Sequence, residues 1–210
     1  MFLTRLRLDP RNVSTRRDLA DPYDMHRTLV RAFVRDERDA PQRFLWRLES
    51  GTAWSQPVVL VQSTQPGDWS FLEAVSGYLF DSGDRAIAVK SFDLASLLQA
   101  GAHLRFRLAA NPTVTRQGKR LGLIGEHAQL EWLHRQGERL GFGLQAALVT
   151  GSDMLRGRKG GMLVSLRRVL YEGVLDVRDA EALGAAIASG IGHGKAFGCG
   201  LLSVARRVDP

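Results

Sequence analysis

The stretch DPYDMHRTLVRAF, Asp21 to Phe33, decides how the first part of this chain folds. Asp21 can cap free backbone N–H groups, and Pro22 suits the first helical position, where its missing donor costs nothing. Asp24 adds negative charge to the first turn, where the helix dipole favours it. Met25, Leu29, Ala32 and Phe33 recur at helical spacing and form one apolar stripe. Tyr23 and His26, three apart, are neighbours off that stripe, with Arg27 and Arg31 close by. A helix with one apolar face needs something to bury it against, and alternating segments lie on either side. FLTRLRL (2–8) precedes it, and RFLWRLES (43–50) and PVVLVQS (57–63) follow; each reads as a strand.

DWSFLEAVSGYL (68–79) predicts a second helix with Asp68 as its cap. DSGDRAIAVKSFD (81–93) holds a turn and a last short strand. The order β-α-β-β-α-β is the ferredoxin-like arrangement. The rest of the chain repeats it. HLRFRLAANP (103–112) is a strand ended by Asn-Pro, and GEHAQLEWLHRQGERLGF (125–142) a helix with Leu130, Leu133 and Leu140 among its apolar positions. GLQAALVTG (143–151) and MLVSLRRVLYEGVLDV (162–177) read as strands with MLRGRKGG (154–161) between them. DAEALGAAIASG (179–190) is a helix capped by Asp179, and FGCGLLSVA (197–205) a closing strand. The expected fold class is therefore α+β, two tandem ferredoxin-like (βαββαβ, RRM-like) domains over 1–92 and 102–210.

With 210 residues and 44% hydrophobic content the chain can build real cores. No apolar run is long enough for a membrane span, and the first ten residues alternate as a strand does rather than as a signal peptide. Cys199 is the single cysteine, which excludes an internal disulfide and suits a reducing cytoplasm. Charge is more informative. Lys and Arg total 29 against 22 acidic residues, a net +7, and all but Lys90, Lys119, Lys159 and Lys195 are arginine. Arginine presents a planar fork of donors that matches phosphate, so a nucleic-acid partner is the natural reading. A GC-rich genome would account for arginine over lysine, but not for the positive excess.

Familiar enzyme motifs fail. In GIGHGKAFGCG (190–200) a phosphate loop would need glycine at Ser189 and a hydroxyl at Ala196. A dinucleotide loop would open a helix, and this one precedes a strand. The loop is either a turn into the last strand or a bare backbone, at Gly190, Gly192 and Gly194, that approaches a phosphate with Lys195 supplying charge. His127, Glu131 and His134 share a helix face, but Glu126, Arg135 and Arg139 around them mark a solvated surface, so no metal or cofactor is expected. Two basic segments remain: Arg156, Arg158 and Lys159 among glycines, and Arg116, Lys119 and Arg120 after the first strand of the second half. Either alone reads as solvated; together, at net +7, they favour a phosphate backbone. The Tyr23–His26 pair is the sharpest candidate. A lone histidine is commonly a surface group, yet an imidazole can take and give protons near neutrality, a tyrosine can donate to a phosphate oxygen, and Arg16, Arg17, Arg27 or Arg31 could steady negative charge. That equipment suffices to cut RNA through its own 2′-OH.

The segments FLTRLRLDP (2–10) and RRDLADPYDMHRTLVRAF (16–33) resemble the N-terminal signature of the CasE family, the type I-E CRISPR RNA-processing endoribonucleases of the repeat-associated RNA-binding superfamily. LRFRLAANPTVTRQGKRLGL (104–123), EGVLDV (172–177) and GIGHGKAFGCGLLSV (190–204) are similar to its middle and C-terminal signatures. The resemblance implies two ferredoxin-like domains, binding of the CRISPR repeat RNA hairpin, and one cut at the base of its stem. It also implies His26 and Tyr23 as catalytic residues, a basic loop at Arg156, Arg158 and Lys159 on the RNA, and retention of the product among other subunits of a surveillance complex. The rival readings are an RNA-binding structural subunit without catalysis and a ferredoxin-like regulator that binds a small ligand.

Overall fold

The computed structural model describes residues 1–34, 42–49, 51, 55–80 and 85–206. The turn expected at Asp81–Asp84 lies outside them. The chain divides into two compact units: one takes Met1–Phe92, Arg156–Val164 and Ala196–Gly198, the other Asp93–Leu155, Ser165–Lys195 and the chain from Cys199 on.

The first unit contains β1 (Phe2–Arg7), α1 (Val13–Ala20), α2 (Pro22–Val30), β2 (Phe44–Leu48), β3 (Val58–Ser63), α3 (Ser70–Glu73) and β4 (Ile87–Ser91). Its sheet runs β2-β3-β1-β4 with every neighbouring pair antiparallel, which is the ferredoxin-like order. Register follows the alternation: Leu6 stands opposite Val59 and Thr4 opposite Val61, and all four are buried. The expected stripe of Met25, Leu29, Ala32 and Phe33 packs into that core with Trp69 and Leu72. A single turn of 3₁₀ helix, Arg31–Phe33, carries the stripe past the end of α2.

Helix α1 goes beyond the sequence expectation, because VSTRRDLA has no apolar periodicity. Polar bonds hold it instead. Asn12 caps it by accepting from Ser14 N and Thr15 N, at 2.7 and 3.2 Å. Its buried positions are Thr15 and Asp18. Asp18 is sealed from water and accepts from Thr28 Oγ1 at 2.7 Å, Tyr78 OH at 2.8 Å and the Arg17 guanidinium at 2.7 Å. A buried carboxylate satisfied at both oxygens is tolerable where an unpaired one would not be.

The helix expected over 68–79 is a correction: only Ser70–Glu73 is helical. Asp68 does accept from Ser70 N at 3.0 Å, but the N-cap position is Trp69, so the bond is a local turn just ahead of the helix. Past Glu73, Gly77 turns left-handed at φ 72° and the chain is drawn into extended contact with the end of β1, through the Leu8–Leu79 bridge and Phe80 N on Arg7 O. Sheet pairing wins over helix propensity there.

The second unit is built from β5 (His103–Ala110), β6 (Thr113–Arg116), β7 (Lys119–Gly122), α4 (Glu126–Leu140), β8 (Phe142–Lys159) as far as Leu155, β9 (Met162–Val177) from Ser165, α5 (Ala180–Ser189) and β10 (Leu202–Arg206), while the tip of the β8–β9 hairpin belongs to the first unit. The sheet order β10-β5-β9-β8 repeats the ferredoxin-like topology. Trp132 and Leu133 of α4 and Leu183 and Ile187 of α5 bury against Phe106 and Leu108 of β5 and Tyr171 of β9. Three boundaries differ from expectation. The MLRGRKGG connection is no loop: β8 runs through to Lys159 and turns at Gly160–Gly161. The segment after Pro112 folds into the β6–β7 hairpin. The last strand starts at Leu202, because Lys195–Phe197 forms a 3₁₀ turn and Gly198 and Gly200 take positive φ. No described helix is long and apolar enough to cross a membrane.

Candidate active site

Helix α2 begins at a cap that does two things. Asp21 Oδ1 accepts from Tyr23 N at 2.8 Å, closing the first turn, and Asp21 Oδ2 accepts from Arg158 N at 2.9 Å. Tyr23 and His26 then project from one side of the helix, ring centroids 6.1 Å apart. The imidazole stacks on Phe44 of β2 at 5.3 Å and 26°, and Phe44 stacks in turn on Phe33 at 4.7 Å. Phe197 lies 6.1 Å from the Tyr23 ring. The Lys159 ammonium sits 6.0 Å from the centroid of that same tyrosine.

These surroundings set the charge state of His26. The ring is half-buried, and its Nδ1 is sealed from solvent with no hydrogen-bond partner among the described residues. Burial first, and the positive charge of Lys159 second, hold the imidazole below its ordinary value of 6.5, since both penalise the cation. The result is an imidazole whose neutral form is favoured, with an aromatic floor, a phenol beside it and an ammonium close by.

The cations expected from sequence divide sharply. Arg17 is committed to buried Asp18, and Arg16 donates to the carbonyls of Pro10 and Arg11. Arg31 stacks on Phe71 at 4.3 Å, and exposed Arg27 pairs with Asp24 at 3.6 Å. Lys159 is the cation found over the Tyr23 ring, and its hairpin neighbours Arg156 and Arg158 are on the same strand end, Arg158 exposed. Sequence reasoning missed Phe44, Phe197 and the second bond of Asp21; only Phe197, an aromatic inside a glycine-rich run, carried a mark that something packs there.

In the second unit, Arg116, Lys119 and Arg120 lie exposed on the β6–β7 hairpin. Gln117 and Gly118, both at positive φ (49° and 72°), make its two-residue turn, as a type I′ connection requires. Arg116 stands directly opposite Lys119, and like charges so placed repel. Arg120, Gly192, His193 and Lys195 line one cleft of about 430 Å³ with Thr113, Gln136 and Arg139. His193 is held below its ordinary value by burial and then by the Arg120 and Lys195 cations. Gly192 and Gly194 adopt φ of 76° and 84°, and a Cβ on Gly192 would stand 3.1 Å from the Trp132 ring, so packing explains at least that glycine. Lys195 Nζ donates to Gly192 O at 2.8 Å. On α4, His127 meets Glu131 at 3.3 Å while His134 turns to Glu138 at 3.5 Å, all exposed. No group of three potential metal ligands occurs among the described residues.

A family model described as CRISPR associated protein matches residues 1–206. The chain belongs to the CasE family of CRISPR-associated proteins. It is 41% identical to the CRISPR-associated endoribonuclease Cse3 of Thermus thermophilus, over 98% of this chain and 100% of that protein. It is 32% identical to the CRISPR system Cascade subunit CasE of Escherichia coli, over 88% and 92%. The structure of Thermus thermophilus Cse3 bound to an RNA representing a pre-cleavage complex superimposes with a TM-score of 0.86, at 39% identity, covering 97% of this chain and 98% of that one. The tandem ferredoxin-like fold is the architecture expected of a CasE-family chain.

Proposed function

We propose that this CasE-family protein binds the hairpin of a CRISPR repeat and cuts the precursor RNA at the base of the stem, without a metal ion, by attack of the 2′-OH on the adjacent phosphate. The observation that carries the mechanism is the stacked His26 with its Nδ1 sealed and unpaired, beside Tyr23 and Lys159. A buried polar atom left unpaired in a native fold asks for a reason, and catalysis is one. With Nδ1 closed off from substrate, the neutral ring keeps its one proton there, and the unprotonated Nε2 is the atom that exchanges a proton with substrate. His26 takes the 2′-OH proton as that oxygen bonds to phosphorus. The P–O5′ bond breaks, its electron pair goes to the 5′ oxygen, and the proton on His26 goes to the same oxygen. The products are a 2′,3′-cyclic phosphate and a 5′-OH. Tyr23 orients the scissile phosphate, and Lys159 steadies the charge that builds on its oxygens. The cations of the two hairpins, Arg156 and Arg158 on one and Arg116, Lys119 and Arg120 on the other, hold the RNA backbone. After the cut the protein keeps the repeat product as a subunit of a surveillance complex, in line with the Cascade subunit name of the Escherichia coli relative.

The test is cleavage of labelled repeat hairpin in EDTA by the native protein and by His26→Ala. Native protein should cut and leave cyclic phosphate ends, while His26→Ala binds within a few-fold and does not cut. The same RNA with one 2′-deoxy nucleotide just upstream of the scissile phosphate should bind and stay intact. Cleavage of the deoxy substrate, or cleavage that stops in EDTA, would mean that an activated water is the nucleophile.

A further inference from the structure

We propose that Asp21 is a positioning residue, which sets Lys159 over Tyr23 by fastening the tip of the β8–β9 hairpin to the first turn of α2; this rests on the reading of Tyr23 and His26 as the catalytic pair. A helix cap needs one acceptor, and Asn or Ser serves there about as well as Asp. Asp21 uses its second oxygen on the backbone N–H of Arg158, 137 residues further along the chain. That bond holds the residue just before Lys159, the last residue of β8. Gly157 shows how closely the two segments meet. It is buried, and a Cβ built on it would stand 2.5 Å from Asp21 Oδ1 and 2.8 Å from Phe197 Cε1. The carboxylate and the bare glycine thus form one seam, and the ammonium 6.0 Å from the Tyr23 centroid hangs from it.

Two backbone donors on two different oxygens demand a carboxylate. An ionised carboxyl group accepts at both oxygens, whereas an amide has one carbonyl oxygen and a donor in place of the other. Asp21→Asn therefore keeps the cap or the hairpin bond, but not both, with hardly any change in volume.

The experiment is a double-mutant cycle between Asp21→Asn and Lys159→Ala, read as single-turnover cleavage of repeat hairpin at saturating protein, with hairpin Kd and melting measured in parallel. In the native background Asp21→Asn should slow cleavage about tenfold or more, the scale of a misplaced charged group, with Kd within about threefold. In the Lys159→Ala background the same substitution should cost less than about twofold, because residues acting through one interaction do not add. Gly157→Ala presses on the seam from the hairpin side and should show the same pattern, which keeps the test alive if Asp21→Asn melts early. An undiminished loss in the Lys159→Ala background, or no loss in the native one, overturns the proposal. The catalytic reading fails separately, by His26→Ala cutting at the native rate.

Discussion

Phe44→Leu tests whether the aromatic floor under His26 governs its chemistry or merely fills the core. Phe44 is 8% exposed and stacks on two rings, the imidazole at 5.3 Å and Phe33 at 4.7 Å. Aromatic pairs contribute about 0.5–1.5 kcal/mol each beyond their buried area, so losing both costs roughly 2 kcal/mol while leucine retains most of the apolar volume. A unit of this size loses about 4–8 °C of melting midpoint per kcal/mol, which places the drop near 8–16 °C. The chemical consequence is distinct. Burial is the leading cause that holds His26 below 6.5, and a smaller side chain admits water to the ring. The acid limb of kcat/KM against pH should therefore move up, toward 6.5.

Phe33→Leu is the control. It removes one ring of the same stack, at 4.7 Å from Phe44, and leaves Phe44 against the imidazole. Both variants should melt earlier, by differential scanning fluorimetry, but only Phe44→Leu should shift the pH profile of hairpin cleavage. Equal profiles for the two would refute the argument, since the floor would then be packing alone.

The native profile of kcat/KM should rise with pH through a value below 6.5, since the free enzyme must hold His26 neutral to accept a proton. Lys159→Gln should move that limb upward, yet short of 6.5 because burial remains; a downward shift would be incompatible with a cation near the ring. The same depression links to stability. Between the lowered folded value and 6.5 the unfolded chain binds the proton more readily, so native stability should fall as pH drops through that window, measurable by urea titration. Charge reversal at Arg116, Lys119 and Arg120 should flatten the salt dependence of hairpin binding, by about 0.7–0.9 in log–log slope for each phosphate no longer neutralised. An unaltered slope would show that the β6–β7 hairpin faces away from RNA.

What is legible in the sequence divides by the kind of force involved. Helix α2 announces itself because Asp21-Pro22 fixes its start and an apolar stripe fixes its face. Helix α1 is silent because its anchor is buried Asp18, bonded to Thr28 and Tyr78, and hydrogen bonding leaves no periodic trace. The outer arm of β8 reads as a loop for a related reason. From Met154 to Lys159 most positions are exposed, so the alternation that betrays a half-buried strand is missing. Tyr23 and His26 are legible as neighbours because three residues on a helix guarantee it. Lys159 is visible only as one of several cations. Its place over Tyr23 depends on a hairpin more than a hundred residues away, and local pattern says nothing about such pairings.

The two ends of the candidate site answer opposite electrostatic demands. On the proposed mechanism His26 has to be uncharged to act as a base, and burial and then the nearby Lys159 ammonium both disfavour its cation. Lys159 must keep its charge to act on phosphate, and it remains exposed. On the proposed mechanism the substrate reconciles them. A scissile phosphate beside both groups would offset the field of Lys159 at the imidazole, raising the proton affinity of His26 at the moment a proton has to be taken. The acid limb measured for kcat, in the RNA complex, should then lie above that for kcat/KM, which reports the free protein. Replacing Lys159 by Gln should narrow that separation, because the field that the phosphate offsets would already be gone. Coincident limbs in the native protein would place the phosphate out of reach of the imidazole, and the assignment of His26 as the base would fall.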